Sequence, residues 1–218
     1  MILFATDLDG SLVGDDAAMQ KLFGILQPLR EQGKLKFVYV SGRSYERIKR
    51  QQPEENLAQP DAIIASVGSE IYINDSLVAG WQDSFSTGWN RDAIAKTAAE
   101  FTNLTFQEES EQRPYKISFE SDVPNKAEVL RLSKALTKEF PNIQVLSSHA
   151  GQYVDIMPTG SDKGSAVLYL AKLWNIHPED IYSAGDSSND ITMLEKTKAI
   201  VVGNAYKELH DWYDDHPG

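Results

Sequence analysis

Ile2-Leu3-Phe4-Ala5-Thr6-Asp7-Leu8-Asp9-Gly10-Ser11 is an apolar run that ends in two carboxylates, one residue apart, and a glycine turn. Residues 2–6 have the make-up of a buried β-strand. Residues two apart in an extended chain point to the same side, so Asp7 and Asp9 converge on one point where the strand stops. Two carboxylates so close repel, and a shared proton or a cation relieves the repulsion. A calcium loop of the EF-hand kind fits poorly. Counted from Asp7 it needs glycine sixth and glutamate twelfth, where this chain has Leu12 and Ala18. Open α/β sheets bind ligands just beyond the carboxyl ends of their strands, so the ends of the other strands decide what the acidic pair is for.

Met19, Leu22, Phe23, Leu26 and Leu29 follow at helical spacing. Pro28 is expected to kink or shorten that helix. Residues 35–40 read as a second buried strand, ending in Ser41-Gly42-Arg43, and residues 45–51 as a short charged helix. A third apolar strand, 62–65, ends in Ser66-Val67-Gly68-Ser69-Glu70. The same rhythm returns after Met157-Pro158, with a helix over 163–173 and a strand over 181–184 that ends in Gly185-Asp186-Ser187-Ser188-Asn189-Asp190. A helix to about Lys196 and a strand over 199–202 follow, and the acidic tail, 206–218, is expected to be helical only at its start. Helices alternating with wholly apolar strands predict a parallel sheet covered on both faces. The fold class is therefore α/β, with a doubly wound, Rossmann-like parallel-sheet core.

The rhythm breaks between these halves. Ile71-Tyr72-Ile73 with Asn74-Asp75 reads as a small hairpin, and 81–88 as a link. Then come a helix over 89–101, a strand over 115–119, a helix with Val129, Leu132, Leu136 and Phe140 on one stripe and Pro124 in its first turn, and strands over 143–146 and 153–156. This predicts an inserted α+β cap domain over 80–158, with the core formed by 1–79 and 159–218.

Composition narrows the function. Of 218 residues, 41% are hydrophobic and 24% charged, ordinary for a globular protein. The net charge of -11 makes nucleic acid a poor partner, since phosphate backbones need Lys/Arg patches. With no cysteine there is no disulfide and no thiolate metal site. No apolar run approaches membrane-spanning length and no signal segment opens the chain, so a cytoplasmic protein, away from membranes, is expected. The four histidines form no ligand pattern and are expected at surface or capping positions; Tyr115 and Tyr153 are expected to pack.

Asp7 and Asp9, Ser41-Gly42, Lys163, and Asp186 to Asp190 all fall at strand ends or a helix start. Together they supply what phosphoryl transfer requires: a nucleophile, an acid/base, a neutralised phosphate and a divalent metal held by carboxylates.

In this order the motifs D-x-D-G-S, strand-serine, lysine and G-D-x-x-N-D resemble the haloacid dehalogenase superfamily of phosphohydrolases. Ser41-Gly42-Arg43-Ser44, Val67-Gly68-Ser69-Glu70-Ile71-Tyr72, Tyr115-Lys116-Ile117-Ser118 and 185–190 resemble its sucrose-phosphate phosphatase branch, across nearly the whole chain. Family members usually carry a further C-terminal segment with a glycine-containing helix, beyond the point, soon after Trp212-Tyr213, where this sequence stops. The resemblance implies that Asp7 is the nucleophile and forms an aspartyl-phosphate, and that Asp9 is the general acid/base. It implies that Mg2+ is held by Asp7, the Asp9 carbonyl and Asp186, and phosphate by Ser41, Gly42 and Lys163. Asn189 and Asp190 would orient Lys163 or the metal's waters. Arg43, Glu70, Lys116 and Asp155 are candidates for substrate contacts. The expected activity is magnesium-dependent hydrolysis of a small sugar phosphate by a monomer, sucrose 6-phosphate first, with mannosylfructose phosphate or another sugar phosphate as the alternative. A sugar phosphomutase shares the core motifs. A receiver-type signalling domain, whose acceptor aspartate follows a middle strand and which has no cap, ranks below it, as does a protein that only binds sugar phosphate.

Overall fold

In the computed structural model, which describes residues 1–101, 104–123 and 125–216, the acidic pair leaves the middle one of five parallel strands in a seven-stranded sheet. In chain order the first part is β1 (Ile2–Thr6), α1 (Asp16–Glu31), β2 (Leu35–Val40), α2 (Tyr45–Gln51), β3 (Ala62–Ala65), β4 (Glu70–Ile73), β5 (Ser76–Leu77) and α3 (Ala79–Asp83). The middle is α4 (Arg91–Ala98), β6 (Thr105–Phe106), β7 (Ile117–Glu120), α5 (Lys126–Glu139), β8 (Ile143–Ser148) and β9 (Tyr153–Pro158). The last part is α6 (Lys163–Leu173), β10 (Ile181–Gly185), α7 (Ile191–Leu194), β11 (Lys198–Val201) and α8 (Lys207–Asp215).

The large sheet has the order β11-β10-β1-β2-β3-β4-β5, parallel from β11 to β3 and antiparallel beyond. Alternation along β1 sends Leu3 and Ala5 to one face, against Val167 and Leu170 of α6 and Leu209 of α8. Ile2 and Phe4 go to the other, with Met19 and Leu26 of α1 and Ile48 of α2. Helices on both faces make every carboxyl end of the parallel strands meet at one rim. Gly68 holds α6 at that rim. Its φ is +105°, and a Cβ there would lie 2.3 Å from the Asp162 backbone, so only glycine fits.

The second sheet, β6-β7-β9-β8, is antiparallel. Ile117, Phe119, Val154 and Ile156 face α4 and α5 and pack with Ile94, Leu132 and Leu136. With period two, Ser118 and Asp155, a cross-strand pair, stand on the opposite face, away from those helices.

Four local expectations differ from the structure. The first helix runs through Pro28 to Glu31 without stopping; the proline gives up only its own N–H bond, and the burial of Met19 and Leu26 holds the helix in place. Residues 81–88 are not a bare link. Trp81 is buried in α3 and its Nε1–H donates to the Gly68 carbonyl at 2.8 Å, with Phe85 packed beside it. Strand β6 is too short, at two residues, to leave a periodic signal. The tail is helical to Asp215, because Leu209 and Trp212 pack onto the core. The expected placement of Pro124 lies outside the described residues. No helix among the described residues is long and apolar enough to cross a membrane.

Candidate active site

The Asp7 N–H donates to the Ala184 carbonyl at 2.9 Å, extending the β1–β10 ladder by one residue. That bond fixes the main chain where the Asp7 side chain departs, and the side chain is buried. Lys163, first residue of α6, comes from the adjacent helix start, capped by Asp162, which accepts the Ser165 N–H at 2.8 Å. Lys163 Nζ donates to Asp7 Oδ1 at 2.7 Å, to Asp190 Oδ1 at 2.6 Å and to Asn189 Oδ1 at 3.1 Å. All three ammonium donors are engaged.

Asp190 is equally committed. Its other oxygen accepts the N–H groups of Asp186 and Ser187, both at 3.0 Å. Asp186 differs: its buried carboxylate receives only a long 3.5 Å contact from Ser11 Oγ. Gly10 lies against it, and a Cβ there would be 2.4 Å from Asp186 Oδ2.

Three buried carboxylates therefore face one ammonium, which leaves an excess of negative charge out of water. Burial raises the Asp7 carboxyl well above the usual range, against the opposing pull of Lys163. Burial, with Asp190 adding to it, pushes Asp186 up to about 6. Lys163 goes the other way: burial alone would lower it, but Asp190 and Asp7 outweigh that and raise it. One oxygen from each of Asp7, Asp186 and Asp190 lies within 4.8 Å of the others. An all-carboxylate, electron-hard donor set with surplus negative charge fits a hard divalent cation such as magnesium. Asp7 and Asp186 retain oxygens for it, whereas the hydrogen bonds of Asp190 mark it as their support.

Ser41 ends β2 and is buried; its Oγ accepts the Arg43 N–H at 3.1 Å. Gly42 lines the cleft floor. Arg43 grips Asp9 with two hydrogen bonds, Nε to Oδ2 at 2.8 Å and Nη2 to Oδ1.

Above these groups lies a cleft of about 340 Å³. Asp7, Asp9, Arg43 and Asp186 form its floor, and Gln107, Glu111, Lys116, Ser148, His149 and Asp155 its opposite wall. Lys116 Nζ donates to Ser118 Oγ at 2.7 Å and to Asp155 Oδ1 at 3.3 Å, and Ser118 Oγ donates to Asp155 at 2.7 Å.

Glu70, expected near the mouth of the cleft, is a correction. It does not line the cleft; it is buried and accepts from Arg113 Nε at 2.9 Å, tying β4 to the segment before β7. His149 and Tyr153 were expected at the surface and in packing, yet both line the cleft, while Tyr115 packs on Phe85. The sequence offered one usable signal for His149. It opens His149-Ala150-Gly151, three successive left-handed residues that need a glycine at their end. Gln107, Glu111 and Arg47 carried none, since each reaches the cleft only through the packing of the two sheets.

The fold is the one seen in haloacid dehalogenase-like proteins: a haloacid dehalogenase-like hydrolase protein from Bacillus subtilis, 19% identical, superposes with a TM-score of 0.69 over 96% of this chain and 84% of its own. Within that class the sucrose-6F-phosphate phosphohydrolase family model matches residues 1–218, and the chain belongs to that family. The sucrose-phosphatase of Synechocystis sp. PCC6803, solved with sucrose and phosphate, is 34% identical with a TM-score of 0.93, covering 100% of this chain and 88% of its own. Sucrose-phosphatase 2 of Nicotiana tabacum is 30% identical over 97% of this chain and 52% of its own length. A mannosylfructose-phosphate phosphatase of Agrobacterium fabrum is 30% identical over 95% of this chain and 85% of its own. The chain spans about half the length of the plant relatives it matches.

Proposed function

We propose that the chain is a magnesium-dependent phosphatase that hydrolyses sucrose 6-phosphate through an aspartyl-phosphate on Asp7. The observation that carries this reading is one cleft with two unlike sides. A buried carboxylate held 2.7 Å from a lysine lies below, and a wall of polar side chains stands above. Lys163 holds one oxygen of Asp7 and leaves the other to attack phosphorus. Asp9 protonates the sugar oxygen as its bond to phosphorus breaks, then takes a proton from the water that cleaves the aspartyl-phosphate. Ser41 and the Gly42 N–H bind phosphoryl oxygens, and Lys163 joins them by giving up its 3.1 Å bond to Asn189. Asp7, the Asp9 carbonyl and Asp186 would hold the magnesium ion, which would supply positive charge to the phosphoryl group.

Residues 80–158 act as a cap over the core of 1–79 and 159–218, and Lys116 and Asp155 meet sugar hydroxyls. A volume of about 340 Å³ lies within the ordinary range for small-molecule sites. The Synechocystis relative, which holds sucrose and phosphate, supports a disaccharide product. The Agrobacterium relative supports mannosylfructose phosphate as the second reading. Every group named comes from one chain, so turnover as a monomer requires no second copy.

Phosphate release across a panel of sugar phosphates with magnesium tests the proposal. Sucrose 6-phosphate should exceed glucose 6-phosphate and fructose 6-phosphate in kcat/KM by at least about tenfold, or ~1.4 kcal/mol. Equal turnover of all three would overturn the disaccharide reading, and no turnover the phosphatase reading.

A further inference from the structure

Asp9 stands apart from the other carboxylates of the floor. Its side chain is 59% exposed, and Arg43 rather than Lys163 holds it. An exposed carboxylate on a turn has freedom to rotate, and a proton donor that rotates is a poor one. What fixes Asp9 is therefore whatever fixes the Arg43 guanidinium.

That group is Glu55. Arg43 Nη1 donates to Glu55 Oε2 at 2.7 Å and Nη2 to Glu55 Oε1 at 3.0 Å, while Nε and Nη2 serve Asp9. The planar guanidinium thus lies between two carboxylates, each held at two points. Arg43 is buried, its side chain 4% exposed. Glu55 lies just after α2 on an anchored turn. The Asn56 carbonyl accepts from Gln20 Nε2 at 3.1 Å, the Leu57 N–H donates to the Gln52 carbonyl at 2.9 Å, and Leu57 is buried in the core. A rigid anchor on one edge leaves the other edge of the guanidinium fixed in direction.

We propose that Glu55 is a positioning residue that acts through Arg43 to aim the Asp9 carboxylate at the leaving oxygen of the substrate. Glu55 also shares the charge of Arg43. Asp9 must release part of the arginine contact to reach a sugar oxygen, and an arginine already paired on its far edge releases it more readily. Without Glu55, the guanidinium either closes fully on Asp9 or swings towards the phosphoryl oxygens. Both outcomes slow the same event, proton transfer from Asp9 as the phosphorus–oxygen bond breaks.

The inference rests on the phosphatase reading, and leaving-group chemistry separates the two. A sugar alkoxide needs a proton to depart; a nitrophenolate does not. The experiment compares wild type, Glu55→Gln, Glu55→Asp and Arg43→Lys on sucrose 6-phosphate and p-nitrophenyl phosphate, both saturated with magnesium. kcat/KM reports events up to loss of the leaving group. For Glu55→Gln it should fall at least about tenfold further on the sugar phosphate than on the aryl phosphate, within the range expected for a general acid. The aryl substrate should also show a burst of nitrophenolate, because Asp9 is misplaced for deprotonating water in the second step. Glu55→Asp should recover part of the loss, and Arg43→Lys, which cannot hold two carboxylates at two points each, should reproduce it. Equal losses on both substrates, or no loss, would overturn the inference. Failure of the wild type on both substrates would overturn the phosphatase reading instead.

Discussion

The floor and the wall of the cleft are built on opposite principles. On the floor, Asp7, Lys163 and Asp190 are buried and interlocked at 2.6–2.7 Å, at the ends of parallel strands and a helix start. On the wall, Lys116 and Ser118 are buried as well and Asp155 nearly so, but they stand on the cleft-facing side of an antiparallel sheet, where an ammonium, a hydroxyl and a carboxylate bond to one another. The floor concentrates like charge where water cannot screen it, so it carries chemistry at the expense of stability. The wall presents neutral-on-balance polar pairs suited to hydroxyl groups. On the proposed function, chemistry and selectivity fall to different sheets, and substitutions on each side should show different signatures.

The largest expected effect is on the floor. Asp7→Asn should abolish turnover, by about 10⁴-fold or more, since an amide is a poor nucleophile. It should leave the melting temperature unchanged or higher, because it removes one of the crowded carboxylates. Substantial activity in a sample free of deamidation would break the assignment of chemistry to this side.

Lys163→Met should follow. It strands Asp7 and Asp190 without their ammonium, and removing one partner of a buried pair costs about 3–5 kcal/mol. Chemical denaturation would read this loss, and Lys163→Met/Asp190→Leu should recover part of it. An unchanged unfolding midpoint would show that the floor is not electrostatically stressed.

The third prediction concerns pH and metal. Asp186 is raised to about 6 in the folded chain, above the ordinary value near 4 of an unfolded aspartate. Between those values the folded state binds more protons than the unfolded one, so metal-free stability falls as pH rises through this window. Without divalent cations the protein should therefore melt higher at pH 5 than at pH 8. Magnesium should stabilise it at pH 8, where the carboxylates are free of protons, and much less at pH 5. Thermal melts with and without chelator check this, and the opposite pH trend would contradict it.

Most of the floor is legible in the sequence, and most of the wall is not. Asp7, Ser41 and Asp186 each end a short apolar strand, and a parallel sheet brings such ends together whatever its exact order. Lys163 is found because it opens a helix in the same rhythm. The linkage of Asp9 to Glu55 is invisible, since nothing local marks residue 55 as lying beside residue 43. Glu70 shows the limit differently: its neighbours share a recognisable motif, but only the packing of the insert reveals Arg113 as its partner. On the wall, Lys116 and Asp155 stand out as charges within strands, whereas Gln107, Glu111 and His149 depend on how β6 to β9 meet the core.

A wall substitution should act on selectivity rather than on the chemical step. Lys116→Met should raise KM for sucrose 6-phosphate about tenfold, the loss of one charged hydrogen bond to a hydroxyl, and leave p-nitrophenyl phosphate nearly unaffected. Matching losses on both substrates would mean that the wall reaches the chemistry.

The smallest expected effect lies where the two sides join. Arg113 reaches across from the insert to Glu70, buried on β4, and to Glu46 on α2 at 3.2 Å. If residues 80–158 move as a cap, this bridge is one of the ties that hold them closed. Burial lowers the Arg113 guanidinium, but the bonds to Glu70 and Glu46 outweigh it and raise it, so the bridge persists across the working pH range. Glu70 keeps Ser66 Oγ at 3.3 Å and Tyr72 at 3.5 Å when the arginine is gone, which softens the penalty of its burial. Arg113→Gln should therefore cost about 1 kcal/mol of closure, in the range of a partly exposed pair, or a severalfold rise in KM for sugar and aryl phosphates alike. Because opening, rather than recognition, is altered, the ratio of the two substrates should stay at its wild-type value, unlike that of Lys116→Met. Hydrogen exchange should rise together in the segments near residues 80 and 158. A change in the substrate ratio, or faster exchange confined to the loop of Arg113, would show that the bridge shapes the wall and does not hold a cap shut.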